Sequence, residues 1–198
     1  MRAVVTRVRS ASVEIGGEIK SSIGQGFLVL LGVHEDDGEA EAVKIADKIC
    51  GLRVFEDENG KMNLNPEAAG CPNLLIISQF TLFADCKSRR PGFSKAARPE
   101  KAIPLYEKVI AECRSRGFEV GTGEFGAEMK VESINDGPVT IILDTNLIQL
   151  KVPFKLVFIT ASKSSSFIAM QSPSFVIPAL LTRMSTDPNS SFTSFMNS

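Results

Sequence analysis

Apolar and polar residues alternate from the start of the chain. Val4 and Val8 are apolar while Arg2, Thr6, Arg7 and Arg9 are polar, and Ala11 to Ile15 alternates again. A period of two predicts strand, and Gly16-Gly17 before Glu18-Ile19-Lys20 predicts a hairpin. Phe27-Leu28-Val29-Leu30-Leu31-Gly32-Val33 is a continuous apolar run, which predicts a central strand buried on both faces. The period then lengthens. Ala42, Val43, Ala46, Ile49 and Cys50 recur at helical spacing, with Glu41, Lys44, Asp47 and Lys48 between them, and predict a helix near 39–52. Asp57-Glu58-Asn59-Gly60 has turn chemistry. Leu74 to Ile77 reads as a second buried strand running directly into Ser78-Gln79-Phe80-Thr81-Leu82. A second helix is predicted near 101–116, with Leu105, Tyr106, Val109, Ile110 and Cys113 on one face. Pro104 is expected in its first turn and Gly117 at its C-cap. Strands near 125–134 and 138–145 flank Asn135-Asp136-Gly137-Pro138, expected to be a hairpin turn. This order predicts an α/β fold, with helices on one side of a sheet and an antiparallel sheet on the other.

Beyond residue 146 charge becomes sparse, serines cluster (Ser162, Ser164, Ser165, Ser166), and Pro153, Pro173, Pro178 and Pro188 interrupt any helix. The expected organisation is a domain over 1–145 and an irregular, disordered tail over 146–198. That tail alters the electrostatics. Lys151, Lys155, Lys163 and Arg183 against Asp187 give the residues beyond 150 a charge of +3, so the first 150 carry −4 of the chain's −1. A net-negative body holds nucleic acid only through a local basic patch. Lys87, Arg89, Arg90 and Lys95 are the nearest thing to one.

The four cysteines form no CxxC pair, and the single His34 cannot complete a Cys/His zinc cluster. We therefore expect reduced thiols, no metal and no cofactor, and a cytoplasmic setting. No apolar run is long enough to predict a membrane span. His34 is expected at the surface. No serine lies in a G-x-S-x-G elbow, and neither a phosphate-binding loop nor a dinucleotide fingerprint is present.

Two segments depart from routine structure. In Ser78-Gln79-Phe80-Thr81-Leu82 polar residues stand where a buried strand ends, which is where α/β folds place ligands. There a hydroxyl and adjacent backbone N–H groups are able to orient a carbonyl or stabilise an oxyanion. Equally, Ser78 and Thr81 would satisfy strand-end backbone groups. In Asn135-Asp136-Gly137-Pro138-Val139-Thr140 the plain reading is a turn. A Gly-Pro bond is also a place where a cis peptide aims carbonyls in an unusual direction.

Over residues 1–145 these segments resemble the D-aminoacyl-tRNA deacylase family, whose SQFTL and NxGPVT motifs stand intact at 78–82 and 135–140. The 52–62 block, Arg90-Pro91 and Phe125-Gly126-Ala127-x-Met129 match as well. The resemblance implies a three-layer α/β/β fold. It implies hydrolysis of the ester of D-aminoacyl-tRNA, and of mischarged glycyl-tRNA, as a chiral proofreading step in translation. It also implies a homodimer with tRNA as partner, and neither membrane nor DNA. Ser78, Gln79 and Thr81 would be the catalytic residues. Phe80, Phe125, Ala127 and Met129 would bind the terminal adenosine. Asn135, Gly137 and Pro138, through a cis bond crossing into the other subunit, would exclude L-side chains. Thr81 matches a threonine proposed as nucleophile, and the alternative driver is the tRNA's own 2′-hydroxyl. Lys87, Arg89, Arg90 and Lys95 would contact acceptor-stem phosphates. Phe83 and Gly92 depart from the family's usual Tyr and Ser. The competing reading is a non-catalytic RNA-binding module on the same fold.

Overall fold

The computed structural model describes residues 1–148; the expectations for the rest of the tail lie outside them. Strand β1 (Arg2–Ile15) is the organising element. Its second half pairs antiparallel with β2 (Glu18–Ile23) through the predicted Gly16-Gly17 hairpin. Its first half pairs antiparallel with β3 (Gly26–Gly32), and its other edge pairs with β8 (Lys130–Asp144). Parallel strands β6 (Asn73–Ser78) and β7 (Glu119–Thr122) continue the sheet beyond β3, giving the order β2-β1-β3-β6-β7. Strands β4 (Phe55–Glu56) and β5 (Met62–Leu64) form a small separate ribbon around the Asp57–Gly60 turn.

Register shifts in the β1–β8 ladder around Arg7–Ser10 mark where β1 bends, and the bend divides its apolar residues between two cores. Ala3 and Val5 face helices α1 (Glu39–Gly51) and α2 (Pro99–Ser115). Val8, Ala11 and Val13 instead pack on Leu75 and Ile77 in a second cluster inside the curled sheet. The three expected layers are therefore present: helices, central sheet, and the strands folded over it.

Both helices follow from their sequences. Glu41 reaches back to accept from the Gly38 N–H at the start of α1. Ile45 is buried and Val43 exposed, the reverse of the weight that spacing gave to Val43. Helix α2 buries its predicted face. It starts at Pro99, so Pro104 lies in the second turn rather than the first, and the carbonyl of Glu100 loses its usual donor. Its end is a Schellman motif: Gly117, at φ 85°, donates to Arg114 and Phe118 to Cys113.

Two expectations at the C-terminal end are corrected. Strand β7 went unread. Asn135 to Pro138 is no hairpin turn either, because β8 runs unbroken through it. Thr6 faces Thr140 and Val8 faces Asn135, so residues 136–139 bulge opposite Arg7 alone. The hairpin reading failed because turn-type residues serve a bulge equally well. Arg7, read as an exposed polar position, is 9% exposed. It donates from Nε to the Asp136 carbonyl at 3.0 Å and from Nη1 to Val54. Arg9 adds a contact to the Asp136 carboxylate at 3.3 Å. The Gly137–Pro138 bond is trans, as is every peptide bond among the described residues, so the expected cis bond is absent.

Candidate active site

Strand β6 is buried through Leu74–Ile77 and ends at Ser78 beside Leu31 of β3. The Gln79 N–H still donates to Leu31, after which the chain turns into a single 3-10 turn, Phe80–Phe83. The N–H groups of Phe80 and Thr81 open that turn ahead of its first internal donor, the Leu82 N–H, which bonds the Gln79 carbonyl. Arg2 fixes the turn from below. It donates from Nη1 to the Leu82 carbonyl at 2.6 Å, lies over the Phe83 ring, and pairs with Asp144 at 2.8 Å.

Above this strand end lies a cavity of about 310 Å³. Its floor is Leu31, Ile77 and Ser78, and one side is Gln79 and Phe80. The opposite side is Phe125, Gly126, Ala127 and Met129, carried by the loop into β8. Thus Ser78, Gln79, Phe80, Phe125, Ala127 and Met129 converge although nearly fifty residues separate the two groups. Thr81 stands at the rim rather than in the lining: it is exposed, and its hydroxyl accepts from the Gln79 side-chain amide. Asn135, Gly137 and Pro138 are exposed on β8 and do not line this cavity. Lys87, Arg89 and Arg90 are exposed in the loop closed by the Asp85–Gly92 bridge, and Lys95 is exposed just beyond it.

Sequence reasoning missed the wall contributed by α2. Ala102 and Tyr106 line the cavity, and Tyr106 is only 6% exposed. Its hydroxyl donates to the Ile76 carbonyl at 2.6 Å and its ring meets Phe125 edge-on. Burial pushes the phenol up to about 12, so it remains a neutral donor. The amphipathic pattern correctly buried Tyr106, but a helical stripe gives no sign of which member reaches a strand end.

The chemistry available is therefore that of oriented dipoles. The lining offers a serine hydroxyl, a glutamine amide and backbone groups, with Tyr106 as its one ionisable side chain. His34 is half-buried rather than a surface residue. Its ring packs on Phe83, and its Nδ1 accepts from the Asp36 N–H. His34, Glu35 and Asp36 bring potential metal-ligand atoms together outside this cavity, in a loop whose two carboxylate residues are exposed. All four cysteines are free, and only Cys86 is exposed.

Comparison with known proteins identifies the family. The family model for D-Tyr-tRNA(Tyr) deacylase matches residues 4–144. A D-aminoacyl-tRNA deacylase of Symbiobacterium thermophilum is 53% identical over 146 residues, covering 73% of this chain and 96% of its own. That of Koribacter versatilis is 54% identical over 146 residues, covering 73% and 97%. Among solved structures, one described as c-Myc DNA Unwinding Element Binding Protein aligns with a TM-score of 0.69 at 41% identity, over 73% of this chain and 98% of that one. A probable eukaryotic D-amino acid tRNA deacylase aligns with a TM-score of 0.62 at 15% identity, over 72% and 97%, a likeness of fold alone.

Proposed function

The chain belongs to the D-Tyr-tRNA(Tyr) deacylase family, and from that premise we propose how this molecule hydrolyses D-aminoacyl-tRNA. The terminal adenosine enters the cavity between Phe80 on one side and Phe125, Ala127 and Met129 on the other. The ester carbonyl then lies over the 3-10 turn, where the Phe80 and Thr81 N–H groups receive the developing oxyanion. Ser78 and Gln79 position the substrate. The convergence of these two segments on one cavity at a strand end is the observation that carries the reading.

Thr81 has no adjacent base to activate it; its partner is a neutral amide. The 2′-hydroxyl of the terminal ribose, held close to its own ester, therefore assists the reaction while the protein orients it. Lys87, Arg89, Arg90 and Lys95 take acceptor-stem phosphates, which gives a net-negative body the local patch it needs.

The reading includes a homodimer. Among the described residues, strand β8 pairs only with β1 and presents Val131, Ile134 and Ile142 to solvent, the last 69% exposed. An open apolar edge of this length requires cover. Asn135, Gly137 and Pro138 do not line their own chain's cavity, so the pocket they guard belongs to a second copy. Steric closure by their backbone rejects an L-side chain and admits a D-side chain or glycine. Arg7 holds the backbone of this bulge through the Asp136 carbonyl, so the position of the closing backbone depends on that contact. Residues 1–145 carry the activity, in the cytoplasm and without DNA as a partner.

The first assay is hydrolysis of D-tyrosyl-tRNA, L-tyrosyl-tRNA and glycyl-tRNA by the full chain and by the chain ended after residue 145. Loss of the D- and glycyl esters alone, by both proteins, is the expected result. Equal loss of the L-ester would remove the chiral filter. Binding of tRNA without hydrolysis would favour the second reading, a nucleic-acid-binding module. The description of the 41%-identical structure as a DNA unwinding element binding protein is the observation on that side.

A further inference from the structure

A second cavity, of about 600 Å³, adjoins the first, with Ala97 lining both. It is bordered by Glu35, Phe93, Ser94, Arg98, Glu100 and Lys101. The partition between the two is an aromatic pair. Phe80 faces the first cavity, Phe93 faces the second, and their rings meet edge-on with centroids 5.1 Å apart. Both rings keep an open surface, Phe80 at 56% and Phe93 at 37% exposed.

We propose that this second cavity is a subsite for the penultimate nucleotide of the substrate's 3′ end, a cytidine in every mature tRNA. The proposal rests on the reading of the first cavity as the seat of the terminal adenosine. Single-stranded RNA is held by stacking of splayed bases on aromatic rings or on Arg planes, with hydrogen bonds to their Watson–Crick edges. Here the ring is Phe93 and the adjacent guanidinium is Arg98. The aromatic pair and the shared Ala97 lie between the cavities, so a strand occupying both passes over that ridge.

The charge of the cavity selects the base. A site built for phosphate alone would be wholly basic, whereas this one sets Glu35 and Glu100 beside Arg98 and Lys101. Carboxylates accept from the exocyclic amine of cytosine, and cationic donors serve its ring carbonyl and the bridging phosphate. Uracil presents a carbonyl where cytosine presents that amine, and so meets the carboxylates unfavourably. Lys101 is already steered, since its ammonium donates to the Glu35 carbonyl.

The test is chemical-shift titration of the full chain with three probes: adenosine 5′-monophosphate, cytidylyl-adenosine and uridylyl-adenosine. Cytidylyl-adenosine is expected to bind about tenfold tighter than the mononucleotide, with uridylyl-adenosine between them. In Phe93→Ala the ratio of dinucleotide to mononucleotide affinity falls towards one. Because Phe93 also touches Phe80, Arg98→Ala and Glu100→Gln provide independent checks. The first is expected to shrink the dinucleotide advantage, and the second to abolish the preference for cytidine over uridine. Equal affinity for all three probes in the unaltered protein would overturn the subsite, as would affinity ratios untouched by any of the variants. The deacylase reading fails separately, on absence of D-ester hydrolysis while the dinucleotide advantage persists.

Discussion

At the scale of single residues, the site contains no activated nucleophile. Thr81 is exposed at the rim and bonded to an amide. Thr81→Ala is therefore expected to lower kcat by less than about tenfold, whereas a substrate ending in 2′-deoxyadenosine should lose about a hundredfold or more. Single-turnover hydrolysis with both substrates separates these, and the reverse order would make Thr81 the nucleophile. The sole histidine leads to a second expectation. His34 contacts Phe83 but not the cavity. The pH–rate profile of His34→Ala should thus retain the shape of the unaltered enzyme, any inflection belonging to the amino group of the substrate. A lost limb would place the imidazole in the proton path.

At the scale of elements, the contact between Arg7 and the bulge of β8 is the critical one. Arg7→Ala frees the Asp136 carbonyl and with it the backbone of Gly137, whose φ of 69° already lies in the left-handed region. The expected outcome is a drop of about tenfold in discrimination between D- and L-tyrosyl-tRNA, with a smaller change for the D-ester alone. Initial rates on both esters measure it; unchanged discrimination would detach the bulge from selectivity. The opposite end of β8 sets an acid limit. Burial raises the Asp144 carboxyl, but the Arg2 guanidinium, the Asn146 N–H and the amino-terminal ammonium outweigh it and hold it below its usual value. The unfolded chain therefore binds this proton more readily, and stability falls with pH through the carboxylate range. Melting temperature should be flat above about pH 5 and decline below it, and Asp144→Asn should flatten part of that decline while lowering the plateau. An unaltered slope in the variant would assign acid sensitivity to other carboxylates.

At the scale of the whole molecule, the proposed homodimer depends on the exposed apolar residues of β8. Ile142→Glu on its open face is expected to shift the protein from dimer to monomer in sedimentation, with loss of chiral discrimination. A monomeric variant that still discriminates would return the selective backbone to its own chain. Much of this architecture was legible in the sequence because it depends on burial. The strands β3 and β6 could be read from unbroken apolar runs and the face of α2 from periodicity, and the polar residues at 78–81 stood out against an apolar strand. What could not be read depends on register. The same Asn-Asp-Gly-Pro suits a turn or a bulge, and only the pairing of Thr6 with Thr140 and Val8 with Asn135 decides between them. Arg7 has the composition of an exposed residue and is buried because the distant Asp136 and Val54 carbonyls supply its acceptors. The second cavity is assembled from Glu35 and the segment 93–101, which spans a loop and a helix start and so shows no periodic pattern.

Tyr106 is the only tyrosine of the 198 residues, and the chain has no tryptophan. The tyrosine band, at longer wavelength than that of the 13 phenylalanines, thus arises at one place, a ring lining the cavity with its hydroxyl tied to the strand beneath. The protein carries a built-in optical gauge of its own pocket, and occupancy by a nucleotide can be followed by light without attaching a label.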